Sequence, residues 1–270
     1  MHKILVLTDL HITPPGELII GLDPAERLSR VLDAMRAAHA DADHLLILGD
    51  LVHYGTAEEY ARLRGLLRDL PWPTTFMMGN HDDRDTFCAT FPRAGLDANG
   101  FVQSRITLPH VHVLSLDTLA PDAKPRHSGF LCADRMDWLR TELAHAPGTP
   151  KIVALHHPPF VTGFDGMDRI GLVNRAEVIE TLQACADVRL VIAGHIHRTI
   201  MASAGGLPMA VFKSPCHQMP LQLGAGTSGL SIDESGAYGL LLVGPDGDIC
   251  VHTEDVAAHK AAILDDIASK

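Results

Sequence analysis

The stretch Ile4-Leu5-Val6-Leu7-Thr8-Asp9-Leu10-His11 decides how the rest of this chain is read. Four consecutive apolar residues suit a strand buried on both faces, as in the sheets of α/β proteins. The strand runs out onto two side chains that can bind metal. The same design returns four times. Leu45-Leu46-Ile47-Leu48 runs into Gly49-Asp50, and Phe76-Met77-Met78 into Gly79-Asn80-His81-Asp82. Ile152-Val153-Ala154-Leu155 runs into His156, and Leu190-Val191-Ile192-Ala193 into Gly194-His195-Ile196-His197. In open α/β sheets, ligand sites assemble at the carboxyl edge of the strands. Five strands that deliver Asp, Asn and His to that edge therefore predict a metal site.

Around this frame, short apolar runs alternate with longer amphipathic stretches, which predicts an α/β fold. Strands are expected at about 3–8, 44–49, 74–79, 101–107, 111–117, 151–156 and 188–193. Helices are expected between them. The first, over 24–39, is opened by Asp23 as N-cap and Pro24 as its first residue. The second, over 56–69, starts on a capping box of Thr56 and Glu59. Two more are expected over 133–145 and 174–186. After about residue 200 the rhythm changes to shorter β-like runs broken by Gly and Pro. The expected organisation is a chemical core over 1–200, and over 201–270 a β-rich extension with a closing helix from Glu254 to Ser269. That extension either completes the domain or forms an oligomer contact. Its apolar run Leu240 to Val243 offers strand edges that need cover, so a homo-oligomer, a dimer or higher, is expected.

Composition narrows the function. With 270 residues, 46% of them hydrophobic, the chain can bury a large core. A formal net charge of −11 leaves no basic excess for neutralising a phosphate backbone, so long nucleic acids are not expected partners. No apolar run approaches the length of a membrane span, and the first eight residues lack a signal-peptide core. Five cysteines, odd in number and without a C-x-x-C pair, fit free thiols in a reducing cytoplasm. Seventeen histidines are many for this length and point the same way as the strand ends.

The residue types at those ends suit phosphate-ester hydrolysis. A phosphodiester resists water because its charge repels the nucleophile and its alkoxide leaves poorly. Two divalent cations roughly 3.5–4 Å apart lower the pKa of a bound water and neutralise the phosphoryl oxygens. Such a pair needs a bridging anion, for which Asp50 is the candidate, with Asp9 as a terminal ligand. In Asp9-x-His11 and His195-x-His197, alternate residues share one side if the chain is extended. Mixed imidazole, carboxylate and amide donors without thiolate suit Fe, Mn, Zn or Co better than Ca or Cu(I).

Taken in order, Asp9-x-His11, Gly49-Asp50, Gly79-Asn80-His81-Asp82, His156 and Gly194-His195-x-His197 resemble the calcineurin-like metallophosphoesterase superfamily over about the first 200 residues. Within it the chain looks like the bacterial class III cyclic-nucleotide phosphodiesterases and the related glycerophosphodiesterases. Softer features agree: Leu116-Asp117-Thr118, Trp138-Leu139, His156-His157-Pro158-Pro159 and the late Ser214-Pro215-Cys216-His217-Gln218. The protein-phosphatase pattern G-D-x-V-D-R-G is absent, because Gly49-Asp50-Leu51-Val52 continues as His53-Tyr54-Gly55. The resemblance implies a four-layer α/β/β/α sandwich. It implies one metal on Asp9, His11, Asp50 and His197, and a second on Asp50, Asn80, His156 and His195. It also implies that the two ions are Fe, Mn or Zn.

Other residues carry expectations of their own. His81 is the candidate for gripping the phosphate or protonating the leaving oxygen. Asp82 either orients the His81 imidazole or caps the next helix. Asn80, His81 and His217 are candidate substrate contacts. His157 suits a supporting or loop role, and His53 the pocket entrance. The Lys124-Pro125-Arg126-His127 cluster reads as a solvated loop. Phe160 to Asp168, with no Lys or Arg, is expected to form a pocket wall. The leading function is metal-dependent hydrolysis of small phosphodiesters, glycerophosphodiesters or 3′,5′-cyclic nucleotides. The alternatives are a monoesterase or nuclease of the same superfamily, or a non-catalytic scaffold.

Overall fold

The structure is a computed structural model that describes residues 1–256 apart from Arg93 and residues 225–228. In chain order its strands are β1 (His2–Leu7), β2 (His44–Ile47), β3 (Thr74–Phe76), β4 (Ser104–Leu108), β5 (Val111–Leu116), β6 (Lys151–Leu155), β7 (Val188–Ala193), β8 (Ile200–Ala204), β9 (Leu207–Val211), β10 (Ala237–Val243) and β11 (Ile249–Asp255). The helices are α1 (Pro24–His39), α2 (Ala57–Leu66), α3 (Arg84–Thr90), α4 (Ala133–Ala144), α5 (Asp165–Arg169) and α6 (Arg175–Gln183).

Two sheets face each other. One has the order β11-β10-β1-β2-β3, the other β4-β5-β6-β7-β9-β8. The two-residue period of β structure sorts each apolar run between the layers. Ile4, Val6, Leu46 and Leu48 point between the sheets, where they meet Val113, Ile152, Ala154 and Ile192. Leu5, Leu7, Leu45 and Ile47 point outward against Leu28 and Leu32 of α1, Tyr60 and Leu63 of α2 and Phe87 of α3. On the far side Leu114, Leu116, Val153, Leu155 and Val191 pack on Met136 and Leu139 of α4 and Val178 and Leu182 of α6. Both faces of each central strand are thus dry, which is why the runs read as continuous rather than alternating. The result is the four-layer α/β/β/α sandwich.

Helix signals act where they were read. Asp23 caps α1 by accepting from the N–H of Ala25, with Pro24 in the first turn. Thr56 and Glu59 form the reciprocal capping box of α2. Of the two short helices, α3 was expected only as the helix that Asp82 would open, and α5 not at all. Both are too brief for a 3.6-residue period to show.

The described chain after residue 200 joins both sheets. β8 and β9 extend the second sheet beyond β7, and β10 and β11 extend the first beyond β1. The run Leu240–Val243 is no free edge either, since β10 pairs antiparallel with β1 on one side and β11 on the other. Glu254 and Asp255 end β11 rather than open a helix. The rest of the expected closing helix lies outside the described residues.

Candidate metal centre

The carboxyl ends of β1, β2, β3, β6 and β7 bring the seven candidate ligands together. The Asp9 Oδ1 lies 3.3 Å from His197 Nε2, and His11 Nε2 lies 3.0 Å from His197 Nε2. Asp50 stands between two groups: its Oδ2 is 3.6 Å from His11 Nε2 and 3.4 Å from His156 Nε2. Asn80 Oδ1 is 3.3 Å from His156 Nε2, and the His195 ring lies 5.1 Å from that of His156. Asp9, Asp50, His156 and His195 are all essentially buried.

The backbone is bent to achieve this. Asp9, His11, Asp50, His195 and His197 all have positive φ, between 46° and 71°. That region is unfavourable for side-chain-bearing residues and concentrates at functional sites. The extended geometry that would let Asp9-x-His11 and His195-x-His197 aim together is therefore absent. Left-handed turns do the aiming instead. Close packing of the turns needs glycine: a Cβ on Gly49 would sit 2.6 Å from the N of Gly79 and 2.9 Å from Nδ1 of His156.

Outer hydrogen bonds set the imidazole tautomers. His156 Nδ1 donates to the carbonyl of Leu48 (2.9 Å), and His197 Nδ1 to that of His217 (2.9 Å). In its neutral form each therefore presents an unprotonated Nε2 inward, the arrangement metal-binding histidines use. His11 Nδ1 faces Nδ1 of His53 at 3.3 Å, which gives His53 an outer supporting place as well as a pocket-lining one. His157 is fully buried and held at both nitrogens, Nδ1 by the hydroxyl of Thr118 (2.8 Å) and Nε2 by the carbonyl of His127 (3.0 Å). It has no free nitrogen for a metal, although it lies beside His156 and His195.

Electrostatics agree with a cation site. Burial works against charge on Asp50, but His156 and His81 outweigh it and hold the carboxyl well below its usual range. Burial likewise disfavours protonated His156, yet the Asp50 and Asp9 carboxylates raise it to about 9. A proton there occupies ground that a divalent cation would take, since ligating imidazoles must be neutral. Burial, with His156 beside it, pushes His157 down to about 3, and burial with His197 beside it pushes His217 down to about 2. The buried Nε2 of His195 has no hydrogen-bond partner. An orphaned lone pair, two Nε2 atoms face to face at 3.0 Å and two buried carboxylates form a donor set that divalent cations fit.

Asp82 does not touch the His81 imidazole, whose Nδ1 donates to the carbonyl of His53 (2.8 Å). Nor does it cap α3, where Asp83 accepts from the N–H of Thr86. Its carboxylate is buried and accepts from the backbone N–H groups of Leu51 and Gly79 and from the Tyr60 hydroxyl. It ties the turn after Asp50 to the turn before Asn80. Burial and the Asp50 charge raise its pKa to about 7. Sequence spacing put Asp82 beside His81, but the turn directs the two side chains apart.

A cavity of about 210 Å³ opens over the cluster. Its lining combines the charge-binding side chains of the cluster, with His53, His81 and His217, and the apolar Met167, Ile170, Met219 and Leu230. A larger cleft of about 720 Å³ between α4 and α6 is lined by Arg140, Leu143, Glu177 and Cys185 among others. Its size does not make it the active centre, because convergent donors do that. Of the expected wall Phe160–Asp168, Met167 lines the cavity, while Phe164 packs into an apolar cluster with Ile196 and Val211. Asp168 secures the loop by accepting from Thr162 and Gly163. The Lys124–His127 cluster divides. Lys124 lines a separate cleft with Arg84 and Phe101, Arg126 is exposed, and His127 enters the cavity. Nothing in the local sequence singles out His127, since a long loop carries it in.

Fold and cluster together define a metal-dependent hydrolase. The family model described as calcineurin-like phosphoesterase matches residues 2–199. A probable cyclic nucleotide phosphodiesterase of Rhodopseudomonas palustris is 39% identical over 222 residues, 82% of this chain and 81% of the relative. A glycerophosphodiester phosphodiesterase of Enterobacter lignolyticus is 26% identical over 220 residues, 79% of this chain and 77% of that one. The crystal structure of a dimetal phosphatase from Danio rerio superposes with a TM-score of 0.68 at 12% identity, over 89% of this chain and 92% of that one, and shows the shared fold. This chain belongs to the calcineurin-like phosphoesterase family.

Proposed function

We propose that this phosphodiesterase hydrolyses 3′,5′-cyclic nucleotides, with glycerophosphodiesters as the second reading. One ion would be held by Asp9, His11, Asp50 and His197, and the other by Asp50, Asn80, His156 and His195. When bound, the pair supplies a lowered water pKa and positive charge against the phosphoryl oxygens. Fe, Mn or Zn suits this donor set. Asn80, His81 and His217 contact the substrate. His81 keeps its Nδ1–H on the His53 carbonyl, which leaves Nε2 as the atom that can carry a proton to the leaving oxygen.

The observation that carries the substrate choice is the cavity's mixed lining. Charge-binding groups line it together with the apolar side chains of Met167, Ile170, Met219 and Leu230. A purine offers an apolar face to such side chains, whereas a glycerol headgroup offers hydroxyls. No Lys or Arg lines the cavity among the described residues, so a monoanionic diester is served better than a dianionic monoester. The second reading is favoured by likeness to the Enterobacter lignolyticus relative. A reducing cytoplasm suits the five free cysteines, and no helix among the described residues is long and apolar enough to cross a membrane. A dimer would use the outer strands β3, β4, β8 or β11, the edges of the two sheets.

The deciding experiment compares kcat/KM for cyclic AMP, glycerophosphoethanolamine and a matched monoester on metal-loaded protein. Cyclic AMP is expected to exceed the monoester at least about tenfold, roughly 1.4 kcal/mol in transition-state stabilisation. A monoester preference would overturn the diesterase reading. A preference for glycerophosphoethanolamine would put the second reading first.

A further inference from the structure

We infer that His127 is a positioning residue for the second metal ion, holding the Asn80 amide with its oxygen toward that ion. The inference rests on the ligand assignment proposed above.

An amide side chain can turn either its oxygen or its nitrogen to a cation, and only the oxygen binds. The two ends of Asn80 meet different partners. Oδ1 lies 3.3 Å from His156 Nε2, on the side of Asp50 and His195, while Nδ2 lies 3.2 Å from Nδ1 of His127. The NH2 group can only donate, so His127 Nδ1 must accept. A flipped amide would set its oxygen against that lone pair and its hydrogens against the cation. The contact thus selects one orientation, as outer partners do for ligands generally.

The protein spends several features on bringing His127 there. Its backbone has φ 73°, in the left-handed region. Its carbonyl accepts from Nε2 of buried His157, whose Nδ1 takes the Thr118 hydroxyl. A Cβ on Gly129 would run into the His157 ring, so glycine there lets the loop close onto that anchor. The His127 ring stacks on His81 at 5.3 Å and 24°, and His81 stacks in turn on His53 at 5.1 Å and 25°. The doublet His156-His157 then divides its labour: the first faces the ions, and the second pins the loop that orients a ligand of the second ion.

The test is calorimetric titration of metal-free protein with Mn(II), with stoichiometry confirmed by metal analysis after desalting. Wild type is expected to take two ions. H127A, and H127F which keeps the ring stack but loses the acceptor, should bind the first ion as before and the second about ten- to a hundredfold more weakly. H127Q, whose amide oxygen can accept from Asn80, should recover most of that loss. The inference is overturned if H127A and H127F bind both ions like wild type. It is also overturned if they weaken both ions equally and H127Q does no better, which would mark a general packing role. Fewer than two ions on wild type would instead sink the ligand assignment itself.

Discussion

Gly49 immediately precedes the candidate bridging residue Asp50, and Gly49→Ala tests whether the packing of turns is what shapes the site. Two costs apply. Gly49 has φ +101°, where a side chain is strained, at about 1–3 kcal/mol. Its new Cβ would also stand 2.6 Å from Gly79 N, 2.8 Å from Met78 C and 2.9 Å from His156 Nδ1, when real Cβ atoms essentially never come within 3.0 Å of such neighbours. The first two are backbone, in a turn pinned by the Asp82 carboxylate through Gly79 N (2.9 Å). They cannot swing aside as a flexible side chain would, so overpacking adds about 1–3 kcal/mol. Together these should lower the Tm of the metal-free protein by on the order of 10 °C. Because His156 Nδ1 is also crowded, its bond to Leu48 should loosen and metal affinity fall about tenfold or more. The control is Gly16→Ala: φ there is +86°, but a Cβ meets nothing within 4 Å. It should show the strain alone, with metal binding untouched. Thermal melts and Mn(II) titrations of both variants measure the difference. If Gly49→Ala melts and binds like Gly16→Ala, the reasoning from crowded turns is refuted.

Two further outcomes follow from the site. Asp50→Ala removes the carboxylate whose Oδ2 lies between His11 and His156; hydrolysis of bis-p-nitrophenyl phosphate should be abolished with the protein still folded, and full activity would sink the bridging assignment. Exhaustive chelation should silence the enzyme and added Mn(II) restore it, so activity that survives verified metal removal would count against the mechanism.

The candidate metal site was legible early because its signals are local. The seven candidate ligands follow five apolar strands within a few residues, and a strand ending in Asp, Asn or His can be read without knowing its neighbours. The caps of α1 and α2 were equally local, since Asp23, Thr56 and Glu59 bond groups two or three residues away. Asp82 was misread at the same short range. Its neighbour in sequence is His81, but its partners are Leu51, Gly79 and Tyr60, and two of these lie more than twenty residues away.

By itself, the sequence determined the α/β class, the central strands and the set of side chains at their ends, because apolar runs and caps are nearest-neighbour physics. Only the tertiary structure decided that β10 pairs with β1 across more than two hundred residues, that the tail completes both sheets, and that His127 meets Asn80. Those choices depend on which distant surfaces bury best against one another. A strand carries its own pattern of burial, but not the identity of the strand or loop that will cover it.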